Sequence, residues 1–168
     1  MLTQTHVPIL AHSPGSMKTL DQLDFFHTVK LDYLSAEDKQ KRLDAMWRVA
    51  LLHFINVDLP HLLSPQDMAT LEQMTQDEHK LDLDAVQKFL REKVNNFDDL
   101  ISKNLGSIKK QLILHHYEQE RKLLELEQAH KGIDHLEQIL AIERLLQAVE
   151  LDDWDTVEAT VPHTFSSH

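Results

Sequence analysis

Between Phe97 and Lys131 the chain contains no proline and a single glycine, Gly106, and this uninterrupted run constrains the fold more than any other feature. Proline removes a backbone donor, and glycine costs about 1 kcal/mol against alanine in a helix interior. A stretch nearly free of both can form one continuous helix. The same scarcity holds throughout: 168 residues include only 3 Gly and 5 Pro. Helix-formers dominate what remains, and the expected fold class is all-α. A 42% apolar content allows a modest core and argues against global disorder.

Punctuation divides the rest. "TLDQLDFFHTVKLDYL" (19–34) predicts a short first helix with Leu20, Leu23 and Phe26 or His27 on one side. Ser35 is the next N-cap, since its hydroxyl can accept from an orphan N–H, and Asp38 sits where a capping box wants an acid. The second helix carries Leu43, Met46, Trp47, Ala50, Leu51, Phe54 and Ile55 at the spacing of one buried face. Pro60 should stop or kink it near Asp58–Leu59. Ser64 then caps a third helix with Pro65 at its first position and Leu63 and Met68 placed as a staple. It runs to about Thr75 and the polar link "QDEHK". Asp82 or Asp84 caps a fourth helix with Val86, Phe89, Leu90 and Val94, and Asn95-Asn96 breaks the chain before the long fifth helix.

Gly132 is the C-cap candidate for that helix. Along it Leu112, His116, Gln119, Leu123, Leu126, His130 and Ile133 alternate steps of four and three, a coiled-coil or hairpin seam. The sixth helix offers the partner seam His135, Ile139, Ile142, Leu146 and Val149, widened by Leu136, Leu140 and Leu145. "DDWDTVEATV" would add a turn or two that tucks Trp154 against the hairpin end. The expected organisation is a mobile tail (1–18), a compact bundle of about four helices (19–104), a long-helix and antiparallel hairpin extension (105–160) and a mobile tail (161–168).

The runs "YLSAEDKQKRL", "LLSPQDMATLEQM" and "VQKFLREKVNNFDDLI" give residues 33–112 a resemblance to a family of small acidic all-helical bacterial domains of unknown function. The shared pattern is one of capping and packing. It implies a helical fold and brings no catalytic residues with it.

Net charge is −11, unevenly spread. Residues 1–87 carry 7 basic and 13 acidic side chains, residues 88–117 carry 6 and 3, and residues 118–168 carry 4 and 12. Nucleic-acid binding needs clustered Lys and Arg to neutralise phosphates, so no nucleic-acid partner is expected. No apolar run reaches the roughly 18 residues of a membrane span, and the N-terminus lacks a secretory pattern. Zero Cys removes disulfides, thiolate chemistry and Cys-type zinc sites, and fits a cytoplasmic chain.

The chemistry-bearing stretch is 113–135, which sets His115, His116, His130 and His135 among four glutamates. Glu127-Gln128-Ala129-His130 supplies one Glu-x-x-His element, whereas a two-metal carboxylate bundle needs two plus two further glutamates. His116 and Glu120 share a face at i, i+4 but are only two ligands. His116 and His130 could instead act as a pH switch on a seam. No Gly-x-Ser-x-Gly, P-loop or Gly-x-Gly-x-x-Gly is present, and the serines read as caps. The expectation is a non-enzymatic interaction or scaffold module with no catalytic, cofactor-binding or metal residues and no cofactor. Its partner would be a protein with a basic or apolar helix-binding surface, or a second copy docked through the hairpin. The alternative is a helical bundle that binds a metal or small ligand through the His/Glu segment 115–135.

Overall fold

A computed structural model describes residues 18–76 and 82–164. The N-terminal seventeen residues, residues 77–81 (most of the expected "QDEHK" link, with Leu81) and the last four residues lie outside them. Among the described residues every regular element is helical: α1 (Phe25–Thr28), α2 (Ala36–His53), α3 (Pro65–Thr75), α4 (Leu83–Lys93), α5 (Phe97–Lys131), α6 (Leu136–Glu150) and α7 (Trp154–Thr160). The chain is all-α. No described helix is long and apolar enough to cross a membrane.

Local chemistry sets the starts. The Ser35 hydroxyl accepts from the Asp38 N–H at 3.1 Å, and Ser64 accepts likewise from Asp67 with Pro65 in the first turn. Asp82 accepts from the N–H groups of Asp84 and Ala85, and Asp153 from that of Thr156. Each satisfies a donor that the first helical turn leaves orphaned.

The stretch 19–34 is not one helix. A 3-10 turn at Leu20–Gln22 precedes α1, because Asp24 accepts from His27 N–H and so restarts the spiral. Lys30 then ends it at φ 56°, with Leu31 N–H donating to Phe26 C=O and Lys30 N–H to His27 C=O. That pair of bonds is a Schellman motif with lysine where glycine is usual. Asp152 repeats it after α6, donating to Val149 C=O while Asp153 donates to Ala148 C=O. Gly132 closes α5 at φ 67° through a bond to Gln128 C=O.

Pro60 does not simply stop α2. The spiral widens into a π turn over Phe54–Asp58, where Leu59 N–H reaches Phe54 C=O, and tightens to 3-10 at Leu59–His61. Widening carries the chain past a residue that has no donor, and it buries Phe54 and Leu59 completely.

Two cores result. One gathers Leu51, Phe54, Leu59, Leu71, Val86, Leu90 and Phe97 from the end of α2 to the start of α5, with the Phe54 and Phe97 rings edge to face at 5.5 Å. The other joins Ile113, Tyr117 and Leu124 of α5 to Ile142, Leu145 and Val149 of α6 and to Trp154, Val157 and Val161. Leu23 and Val29, expected in the N-terminal bundle, belong to this second core. So does Val161. Val161–Thr164, expected to begin a mobile tail, form a 3-10 turn in which both end residues are buried.

The expected seam on α5 is displaced. Its buried face is Ile113, Tyr117 and Leu124, one residue away from the string Leu112, His116, Gln119, Leu123, Leu126, His130 and Ile133. One residue is a 100° rotation, enough to leave Leu123 and Leu126 63% and 55% exposed. On α6, Ile142 and Val149 are buried as expected, but Leu136 and Leu140 face solvent and His135 sits at the N-cap outside any seam.

Candidate functional site

The Schellman turn at Lys30 swings the chain away from α1, so that residues 25–33 stand beside α2 and the middle of α5. A cleft of about 610 Å³ lies between the three, walled by Phe25, Leu31, Met46 and Leu112. Arg42 and Met46 reach it together because they are four apart on α2. Its polar lining is Lys30, Arg42, His115, His116, Gln119 and Tyr33; among the described residues no carboxylate lines it.

A buried polar network backs this cleft. Lys30 forms an ion pair with Glu120, donates to Thr164 C=O at 3.0 Å and lies 5.7 Å from the centre of the Tyr117 ring. The Tyr117 hydroxyl donates to Thr28 C=O at 2.5 Å. Burial pushes that hydroxyl well above its ordinary pKa, so it stays a donor. His116 sets its ring edge-on to Tyr117 at 4.9 Å and places Nε2 3.6 Å from Glu120, too far for a hydrogen bond. Burial pushes its imidazole below the usual range; Glu120 pulls the other way, and the nearby Lys30 and His115 add to the lowering.

The other two histidines of the segment, His130 and His135, stand apart from it. His130 Nδ1 donates to Leu126 C=O at 2.9 Å on an exposed surface. His135 donates to Gln138 Oε1 and puts Nε2 3.3 Å from Glu127, without hydrogen-bond alignment. Lys131 also binds Glu127, and its hydrogen bond holds that carboxyl below the usual range, with His135 adding to the effect. Glu127 and His130, the one Glu-x-x-His element, therefore turn to different partners. The His/Glu segment resolves into two separate pairs, His116 with Glu120 and His135 with Glu127. Among the described residues no three His, Asp or Glu side chains gather as a metal site.

Beyond the cleft the displaced seam continues along α5 as an open stripe. Leu112 and His116 line the cleft, Leu123 and Leu126 carry the same four-three progression into solvent, and Ile133 lies exposed just past the Gly132 turn that ends α5. Lys30 and Arg42 were not legible as site residues, since nothing local to either announces that its turn or helix meets α5. A wider depression of about 850 Å³ between α6 and α7 mixes Glu137 with Arg144 and His163 and presents no consistent chemistry.

Comparison with protein-family models, curated proteins and solved structures finds no match to this chain.

Proposed function

We propose that this chain is a non-catalytic interaction module that binds an amphipathic helix of a partner protein along α5. The observation that carries the reading is the stripe Leu112, Leu123, Leu126 and Ile133, whose side chains are 41%, 63%, 55% and 45% exposed. From residue 112 to 131 a helix rises about 30 Å, and a four-three stripe of that length is what a second helix needs for knobs-into-holes packing. Polar His116 and Gln119 fall between Leu112 and Leu123, and exposed apolar side chains interspersed with polar ones at helical spacing are the kind of face that a partner helix covers.

The platform for this stripe is an antiparallel hairpin of α5 and α6 built out from the bundle of α2, α3 and α4. Two contacts support that arrangement. Lys110 binds Glu150 C=O and the Asp152 carboxylate at one end, and Glu127 meets His135 near Gly132 at the other. The network behind the cleft also suits holding rather than reacting, because Lys30, Glu120 and Tyr117 are already committed to partners within the fold. Acidic residues on the C-terminal third favour a partner helix with basic flanks.

The test compares wild type with Leu123→Lys/Leu126→Lys. Capture from the native cell should recover a partner with the wild type and lose it with the variant. Light scattering on the purified chain tells a second copy from a different protein. Recovery of the same proteins by both forms, with both monomeric at high concentration, would sink the proposal.

A further inference from the structure

We propose that the cleft between residues 25–33, α2 and α5 binds a small amphipathic anion, a carboxylate carried on an unbranched apolar chain of medium length. The cleft is graded. Val29 and Met46 are buried at its depth, with Phe25, Leu31 and Leu112 along its walls, while Arg42 and His115 are exposed at its mouth. An apolar tail directed inward and an anionic head at the mouth match that gradient.

Charge makes the match specific. The protein carries −11 overall, and yet among the described residues no carboxylate lines this cleft. Lys30 is neutralised by Glu120 and contributes little net charge. Arg42 is different, because among the described residues no acid lies within ion-pair distance of it. Its planar guanidinium can hold a carboxylate through two parallel hydrogen bonds. Acidic groups more than about 8 Å away are screened at physiological salt, and among the cleft-lining residues Arg42 is the cation that an anion at the mouth meets. The volume, about 610 Å³, falls within the range of small-molecule sites.

Calorimetric titration of the full chain with decanoate, below its micelle concentration, tests this directly. Saturable binding at one site is expected. Arg42→Glu should weaken it about tenfold or more by replacing a bidentate donor with a like charge. Ala45→Trp, at an exposed cleft-lining position where a large ring should close the space, should abolish it with an unchanged thermal melt. Decyltrimethylammonium, of equal chain length and opposite charge, should not bind. Absence of saturable decanoate binding overturns the proposal, as does equal affinity for the cation. Full affinity in either folded variant does so too. The cleft and the stripe share Leu112, but none of these results bears on Leu123 and Leu126, whose substitution tests the stripe, so the two readings fail separately.

Discussion

Lys30 and Glu120 stand 90 residues apart in sequence and meet as an ion pair between the turn after α1 and the middle of α5. Both side chains are about four-fifths buried, at 18% and 20% exposure. Removing one partner strands the other charge in a poorly solvated place, which in a fully buried pair costs 3–5 kcal/mol. With residual solvent access, Lys30→Met and Glu120→Gln should each cost about 2 kcal/mol. The double variant should cost clearly less than the sum, because neither charge is then left alone. Urea denaturation of the four proteins gives the coupling energy. Additive losses would mean that the pair contributes only as two separate contacts.

His116 gives the second prediction, with a definite sign. Its folded pKa lies below the ordinary 6.5 because burial disfavours the imidazolium more than Glu120 favours it. The unfolded chain then binds more protons than the folded one just below pH 6.5, so stability falls with acidification. The contribution of the neutral ring is present in full above about pH 6.5 and is lost as pH drops through the folded value. Denaturation midpoints between pH 5 and 8 should show a slope that His116→Gln flattens. A midpoint that rises on acidification, more so in the wild type, would show that the Glu120 contact outweighs burial. The charged and titratable neighbours in that balance are Glu120, Lys30 and His115.

What the sequence made legible is what short-range chemistry decides. Ser35, Ser64 and Asp82 cap helices as read, and α5 begins at Phe97 and ends at Lys131 because Asn96 and Gly132 both adopt left-handed conformations at its borders. The face of α5 was another matter. Two strings one residue apart, through Ile113, Tyr117 and Leu124 or through Leu112, Leu123 and Leu126, each supply apolar side chains at helical spacing. The choice fell to tertiary partners that no window around α5 contains: Thr28 C=O accepts from Tyr117, and Trp154 and Val161 fill the same core. Val161–Thr164 reads as a tail because Pro, His and Thr carry little apolar signal, yet Thr164 C=O accepts from Lys30 and its side chain is fully buried. Chain reversals that depend on lysine and aspartate in left-handed geometry, at Lys30 and Asp152, leave no glycine to mark them.

Gly106 has no such structural need. It sits inside α5, and a Cβ built there would meet only Leu20 Cδ2 at 3.7 Å, an ordinary van der Waals contact. Alanine removes unfolded-state freedom and raises helix propensity without a clash, so Gly106→Ala should stabilise by about 0.5–1 kcal/mol. In a chain of this size that is a rise of roughly 1–4 °C in melting temperature. A fall would mean that Leu20 cannot yield and that the turn at Leu20–Gln22 packs more tightly on α5 than the spacing indicates.

Adjacent leucines on α5 separate the register of the helix from its use. Leu124 is 6% exposed and packs among Tyr117, Ile142 and Leu145, whereas Leu123 is 63% exposed. Leu124→Ala should cost about 2–4 kcal/mol through lost burial and the cavity left behind. Leu123→Lys should change stability by less than about 0.5 kcal/mol, because lysine on an open helical face keeps its stem on the surface and its charge in water. If instead α5 closed on its neighbours through Leu112, His116, Leu123 and Leu126, the order of the two effects would reverse. The same Leu123→Lys protein should lose the partner bound along the stripe while melting like the wild type. Retained stability together with lost binding distinguishes a surface kept apolar for a partner from one that is apolar by accident, for which the substitution would be silent in both assays.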